Sequence, residues 1–510
     1  MQCKQQLVPV NSTHCGLQAS AVSLLKKLLS KRNRRVGSEL LTGEKVVGSH
    51  STTTPMGSNW RNAITVDYMT ALPSTPDMYD LRMSEAARPL YEKVKTFIAE
   101  EIEPKTAEFF RLGEGREDHW GYGEGQLELL DSIKAKAKEV GLWNFFLPDA
   151  ETGEGLSNLD YAYIAVELGK NPIASECLNC SAPDTGNMEV LERVGTPEQK
   201  EQWLKPLLNG EIRSAYIMTE PDMPSSDAKQ LACRAIRDGD EYVITGEKYW
   251  SSGAGDPRCK IMIVMVQTDP DGPVHRRQSQ ILVPRDTPGV EIRGAMHVFG
   301  EDDAPHGHMH IRFNNVRVPA SNMLWGEGKG FEISQLRLGP GRIHHCMRSV
   351  GAAEKALELM VKRGITREAF GKRIANLGKN PEVIAKARIE IESMRRMVLT
   401  AAKAMDELGN AEARVWVSAV KAMVPIRTCQ IVDEAIQIHG GTGVSQWTPL
   451  ARMYASQRTL RLADGPDAVH WFVVGRSEIA STEEAARDYN PKETFYAEKG
   501  SDNAVAFSGP

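Results

Sequence analysis

Tyr216-Ile-Met-Thr-Glu-Pro-Asp-Met-Pro-Ser-Ser-Asp227 lies where this chain changes texture. From about Ser214 onward, short apolar or alternating runs rich in Ile and Val follow one another at Tyr242–Thr245, Ile261–Val266, Gln280–Pro284 and Met309–Phe313. Asp238-Gly239, Asp271-Gly272 and Pro288-Gly289 separate them as turns, so residues 214–325 are expected to form a compact antiparallel β-domain. Upstream the apolar spacing is three and four residues, which predicts helices over Leu81–Phe110, Leu127–Val140 and Asn158–Gly169. Thr196-Pro197-Glu198 has the form of a helix start, with a hydroxyl at the cap and Pro in the first turn. Downstream of Gly326 long helices return at Phe331–Arg363, Pro381–Leu408 and Ala411–His439. In the last, Val417, Val420, Val424, Ile431, Ala435 and Ile438 share a face, Pro425 is expected to kink the helix, and Gly440-Gly441 to end it.

The expected order is therefore helix, sheet, helix. It comprises an N-terminal α-helical domain over 77–213, the β-domain, and a C-terminal α-helical domain over 326–476. A disordered or targeting extension over 1–76 and a polar tail over 477–510 flank them. With 510 residues, 41% hydrophobic and 25% charged, the chain has ample material for two or three packed subdomains. A net charge of −5 offers no long-range attraction to nucleic acid or anionic lipid. No uninterrupted apolar run approaches the length of a membrane span. The eight cysteines are scattered, and Cys177 and Cys180 form a lone C-x-x-C with no second pair for zinc. No metal site is expected. The first fifty residues hold eight Lys or Arg against two Glu, with many hydroxyls and a basic Leu-rich turn within Ala21–Val36. That composition is similar to a transit peptide. It points to a mitochondrion, with peroxisome or cytoplasm as alternatives; an untargeted tail, or a functional start near Met69, would read the same way.

Four clusters carry chemistry. The turn-rich Tyr216–Asp227 loop has free N–H groups and hydroxyls able to hold a phosphate or a polar ring edge. Gly246-Glu-Lys-Tyr-Trp-Ser-Ser252 ends a strand with an indole that can stack on a planar cofactor. Arg367-Glu-Ala-Phe-Gly371 follows a long helix, and its Arg suits a diphosphate. Gln437-Ile-His-Gly-Gly-Thr442 permits close backbone approach to a ligand. Read singly, these are a solvated turn, a core Trp, a surface charge and a helix cap.

In order and at these separations, the four resemble the acyl-CoA dehydrogenase family over about Asp77–Arg476. Thr219-Glu220-Pro221 with Ser226-Asp227 matches its T-E-P…S-D, and Trp250-Ser251-Ser252 its W-[IS]-[ST]. Arg367, Phe370, Gly371 and Lys372 match R-x-x-F-G-K, and Gln437, Ile438, Gly440 and Gly441 match Q-[IL]-x-G-G. The resemblance implies an α+β fold whose C-terminal domain is a four-helix bundle. It implies FAD as cofactor and oxidation of the Cα–Cβ bond of an acyl-CoA thioester. Tyr216, Met218, Thr219 and Ser226 would line the flavin, Ser226 touching diphosphate or thioester. This loop is one residue longer than the common T-E-P-x-x-G-S-D, with Pro224 and Ser225 where Gly is usual. Trp250, Ser251 and Ser252 would flank the ring. Arg367, Phe370 and the Gln437–Gly441 turn would reach FAD held by a neighbouring subunit, which implies a homodimer or homotetramer. An electron-transfer flavoprotein is the implied electron acceptor.

Relatives place a Glu-Gly-Thr base motif after the Gly-Gly turn; here the stretch reads Ala463-Asp464-Gly465-Pro466-Asp467-Ala468. It looks like a branch with A-D-G-P in which Asp is taken as the base. Larger members of that branch, acting on long or branched acyl-CoA, carry a kinase-like domain not expected here. Asp464 is thus the expected catalytic base, Gly465 and Arg342 lie at the substrate, and Pro466, Asp467 and Ala468 border the cofactor. Asp is about 1.5 Å shorter than Glu, so the backbone is expected to stand closer. Burial beside the acyl chain is expected to raise the carboxyl's pKa toward working pH. The alternative is that Asp464 only caps a helix. His344 and His345 are expected to pack on a helix face. Rival readings are an oxidase on the same scaffold, as nitroalkane oxidases are, and a flavin-containing DNA-associated protein.

Overall fold

The computed structural model describes residues 72–147, 153–483, 486, 487 and 489. The expected targeting segment, and Cys3 and Cys15 with it, lie outside the described residues. The first helices are α1 (Arg88–Phe97) and α2 (Glu103–Leu112), joined through a π-turn at Ile98–Ile102. Pro89 in the first turn sets the start at Arg88 rather than Leu81. Pro104 cannot donate into the helix, and the widened turn lies immediately before it. The arrangement recurs at the π-turn Lys200–Leu204 ahead of Pro206. The helix start at Thr196 is as expected, closed by a capping box with Gln199. Three further helices, α3 (Gln126–Glu139), α4 (Asn158–Leu168) and α5 (Asp184–Val194), complete the layer. Phe97, Ile133, Leu142, Ile164 and Leu191 are buried in it.

Seven strands follow: β1 (Arg213–Ile217), β2 (Arg234–Asp238), β3 (Glu241–Ser252), β4 (Cys259–Gln267), β5 (Gln278–Pro284), β6 (Val290–Ala295) and β7 (His308–Pro319). Their order is β1-β4-β2-β3-β7-β6, with β5 paired to β4. The sheet is not wholly antiparallel: β1 lies parallel to β4, Tyr216 opposite Ile263, and β2 meets β4 at one parallel pair. The reason is topological. Strand β1 enters from the helical layer, and the β2–β3 hairpin must be built before β4 returns beside it.

The last helices are α6 (Gly330–Thr366), α7 (Asn380–Glu412), α8 (Arg414–His439), α9 (Leu450–Thr459) and α10 (Asp467–Thr482). Helix α8 packs against α6, α7, α9 and α10. The six apolar residues expected on its inner face are all buried, it continues through Pro425, and Gly440 ends it at φ 65°. A left-handed Gly409 (φ 76°) breaks the helical backbone within the last turn of α7. Helix α10 runs past Arg476 to Thr482, further than the expected start of the polar tail. Among the described residues one stretch, Arg414–Thr442, is long and apolar enough to cross a bilayer, yet 78% of that window is buried inside the fold.

Charged groups join the helical layer to the sheet. Glu176 accepts from Lys134 (2.6 Å), Arg258 (3.1 Å) and Arg213; Arg213 also bridges Asp184 (2.7 Å), and Asp256 pairs with Arg258 (2.7 Å) and Tyr122 (2.8 Å). The six described cysteines are all free and buried. Burial pushes the Cys177, Cys259 and Cys346 thiols up to about 12 and Cys233 and Cys429 to about 11. Because the thiolate is the nucleophile, a colorimetric disulfide reagent at pH 8 should leave these thiols unmodified in the native protein. All should react in denaturant; fast native labelling at any of the six would contradict the burial.

Candidate active site

The turn between α9 and α10 carries Asp464, in the left-handed region at φ 56°, followed by Gly465 at φ 103°. Asp tolerates that conformation better than most residues. Gly465 has no such latitude: a Cβ there would lie 2.9 Å from His470 Nε2. Three side chains pin the turn. Arg342 Nε donates to the Asp464 carbonyl (2.9 Å), and His470 Nε2 donates to the same oxygen (3.3 Å). Lys421, fully buried on α8, donates to the carbonyls of Leu460 and Gly465, the latter at 3.3 Å. Pro466 takes the N-cap position rather than the first turn, and Asp467 opens α10 paired with Arg461 (2.9 Å). Ala468 beside it is exposed.

The Asp464 carboxylate faces α6. Its Oδ2 lies 3.4 Å from His345 Nε2, and a Cβ on Gly341 would stand 3.5 Å from it, so the bare helix backbone leaves it room. The side chain is 17% exposed. Burial works against its charge, but a hydrogen bond from His345 and the charges of Arg337 and Arg342 hold the carboxyl well below the usual carboxylate range. The expectation of a raised pKa is therefore overturned for the free chain: burial acts as anticipated, and the cations of α6 outweigh it.

The first two clusters come together at the sheet. Strand β3 carries a register shift between Lys248 and Ser251, and Trp250 occupies it at φ 55° with its side chain turned outward, 38% exposed. Bulges re-aim side chains in this way. Ser251 Oγ is buried without a hydrogen-bond partner, and Ser252 Oγ meets His308 Nδ1 (2.8 Å) on β7. Glu220 of T-E-P is buried and does not face a ligand: it accepts from Lys248 Nζ (2.8 Å), Ala232 N (2.8 Å) and Cys233 N (2.9 Å). Lys248 also donates to the Met218 carbonyl (2.8 Å), and Tyr249 N to that of Thr219 (3.0 Å). The extra residue of the loop lets Ser225 fold back, accepting from Glu220 N (2.9 Å), whereas Ser226 is exposed and its hydroxyl makes no hydrogen bond among the described residues.

Arg337 reaches the sheet from α6 and lies in the electrostatic neighbourhood of Asp464. Its guanidinium lies 4.0 Å over the Tyr216 ring and its Nε donates to Asn187 Oδ1 (3.2 Å), while Asn187 Nδ2 donates to Ser214 Oγ (2.9 Å). A Cβ on Gly253, just past Ser252, would lie 3.1 Å from the Ser214 carbonyl. Tyr216 itself is committed to α6: its hydroxyl meets Ser334 Oγ (2.9 Å) and accepts from Gln280 (2.9 Å). The other two clusters stand apart. Arg367 and Phe370 flank a hairpin whose Phe370-Gly371 turn has φ 51° and 70°, the type I′ signature, with Phe370 95% exposed. Gln437, Gly440 and Gly441 are exposed at the end of α8, with Ile438 buried beneath them. No hydrogen bond or ion pair among the described residues joins either group to Trp250 or Asp464.

An outward-turned indole beside an unpartnered buried hydroxyl suits a planar cofactor with polar ring atoms. Family models agree with this arrangement. The acyl-CoA dehydrogenase N-terminal domain matches residues 84–211, the middle domain 215–316 and the C-terminal domain 328–479. The chain belongs to the acyl-CoA dehydrogenase family. A probable acyl-CoA dehydrogenase, FadE2, of Mycobacterium tuberculosis is 49% identical over 404 residues, covering 79% of this chain and 97% of its own. Acyl-CoA dehydrogenase family member 11 of Mus musculus is 48% identical over 418 residues, 80% of this chain and 53% of the relative; the chain thus spans about half its length. A solved putative acyl-CoA dehydrogenase from Mycobacterium abscessus superposes with a TM-score of 0.75 at 49% identity, covering 78% of this chain and 99% of that one. Butyryl-CoA dehydrogenase of Megasphaera elsdenii gives 0.65 at 25% identity, with coverage of 78% and 99%.

Within this family frame, sequence reasoning missed His308, Arg337, Lys421 and His470 as parts of the site. The i, i+3 spacing of Ser334 and Arg337 on a core helix was a signal for the second; the others meet their partners only through tertiary structure. Lys248→Met would strand the Glu220 charge in the core. Removing one partner of a buried pair costs about 3–5 kcal/mol, so denaturant unfolding should show a loss of that order, while Lys248→Met with Glu220→Gln should recover much of it.

Proposed function

We propose that the chain catalyses FAD-dependent dehydrogenation of an acyl-CoA to the 2-enoyl-CoA, with Asp464 as the base for the α-proton. The observation that carries this reading is the position of the Asp464 carboxylate: turned onto the bare stretch of α6 at Gly341, in the field of Arg337, whose Nε donates to Asn187, which in turn donates to Ser214 on β1. Bound FAD supplies a two-electron acceptor for the β-hydride. Asp464 then has one task, to take the α-proton at a carboxylate oxygen. Arg342, Lys421 and His470 fix the backbone from which its short side chain reaches, since misplacement by about 1 Å can cost a hundredfold in rate.

The α-carbon loses its proton readily only if the thioester oxygen is stabilised. The main-chain N–H groups of Asp464 and Gly465 have no acceptor among the described residues, and they are the natural donors to that oxygen; such donors contribute a few kcal/mol. Trp250, Ser251 and Ser252 would hold the flavin ring, and the Met218–Ser226 loop would hold the diphosphate. Arg367, Phe370 and the Gln437–Gly441 turn, far from these residues in connectivity and exposed, serve a cofactor bound by a second copy of the chain, which makes the working form a homodimer or homotetramer. An electron-transfer flavoprotein would be the electron acceptor, as fits a role in fatty acid β-oxidation. The basic, hydroxyl-rich start of the sequence supports a mitochondrial location.

Anaerobic titration of the FAD-loaded protein with butyryl- through palmitoyl-CoA should bleach the flavin with at least one chain length. General-base catalysis is worth about 10²–10⁴-fold. Asp464→Asn should therefore retain the yellow cofactor and bleach slower by that factor; bleaching at the wild-type rate would remove Asp464 as the base.

A further inference from the structure

Helix α6 presents His345 and Arg348 one turn apart, on the face that meets Asp464. Arg348 Nη2 lies 3.3 Å from His345 Nδ1, and His345 Nε2 lies 3.4 Å from Asp464 Oδ2. A guanidinium has no acceptor. The nitrogen facing Arg348 must therefore be the bare one, and the proton of a neutral imidazole sits on Nε2, toward the carboxylate. We infer that His345 is the positioning residue for Asp464, donating its Nε2–H to the carboxylate in a tautomer that Arg348 enforces. This rests on Asp464 being the base.

The packing around Arg348 supports a fixed rather than adjustable arrangement. Gly169, at the end of α4, and Gly351 bring α4 and α6 into backbone contact: a Cβ on Gly169 would overlap the Arg348 carbonyl, and one on Gly351 the carbonyl of Val166. Among the described residues Arg348 Nη1 is buried with no acceptor and the guanidinium pairs with no carboxylate, so its field falls on the imidazole. Burial, and then the Arg348 and Lys421 charges, favour neutral His345, against the pull of Asp464. With Nδ1 accepting and Nε2 donating, the ring has no site for the α-proton. Transfer ends on Asp464, and His345 acts by orienting the carboxylate and favouring its ionised form.

The other groups around Asp464 come from α6, α8, α10 and β1. Arg337 and Arg342 on α6 carry guanidinium groups, and Lys421 on α8, whose pKa burial lowers, is held by two carbonyls. His470 on α10 is pushed down to about 4 by burial and by Arg342 and Lys421, while burial pushes the Cys346 thiol up to about 12 and raises Tyr216 on β1.

The test is the rate of anaerobic flavin bleaching from pH 4 to 10, at saturating concentration of whichever acyl-CoA bleaches the wild type fastest, because a bound acyl chain excludes water from Asp464 and brings its limb up from the free-chain position. Without the donor the charged carboxylate loses support and its pKa rises. His345→Leu should move the acid limb upward by on the order of one pH unit while retaining FAD, and Arg348→Met should move it the same way. His345→Gln, which keeps an N–H donor, should bring the limb most of the way back. If Asp464→Asn is inactive but His345→Leu keeps the wild-type limb, His345 only packs and this inference fails by itself. If Asp464→Asn bleaches normally, the base assignment fails instead. A second measurement needs no turnover: ¹⁵N NMR of histidine-labelled protein, with His345 assigned by difference against His345→Gln. It should give the neutral Nε2–H form through pH 5–8; an Nδ1–H or imidazolium signal would overturn the inference.

Discussion

The site depends on one constrained turn. A carboxylate one methylene shorter than the usual base can act only if its backbone is delivered closer, and Asp464 is delivered by three cations or imidazoles gripping carbonyl oxygens on either side of it. Each comes from a different helix: Arg342 from α6, Lys421 from α8, His470 from α10. Arg342 and Lys421 are met there by main-chain carbonyls, and Arg342 acts with Arg337 on the Asp464 carboxylate. Positional control and electrostatic control therefore meet in Arg342.

The β-domain solves a comparable problem by other means. Trp250 leaves the sheet's inner face through a register shift with left-handed backbone, at a local cost of about 1–3 kcal/mol. The buried Lys248–Glu220 pair sits directly beneath, tying the T-E-P loop to β3. The motif's acid is thus structural, and the ligand-facing surface is made by the residues it holds in place.

Much of this was legible in the sequence because it is local. Apolar periodicity marked the long helices, Gly440 marked the end of α8, and alternation marked β3, β4, β5 and β7. Strands β1, β2 and β6 escaped notice: β1 is buried along its whole length, and β2 has a single buried residue. The parallel β1–β4 pair is a matter of connection order, which composition does not encode. Asp464 was singled out through motif register, but the direction of its pKa was not legible, since the deciding charges lie more than a hundred positions away on α6. Histidines that looked like packing residues on that helix divide in the structure, His344 buried against Tyr161 and His345 turned toward the acid.

The seam between the helical layer and the sheet has a thermal corollary. It is fastened by Glu176, Asp184 and Asp256 against Lys134, Arg213 and Arg258. The hydration that such ions forgo becomes less favourable on warming, so the penalty for sequestering them shrinks. As temperature rises this junction loses grip more slowly than the apolar bundle does, and the helical layer and sheet tend to melt as a unit.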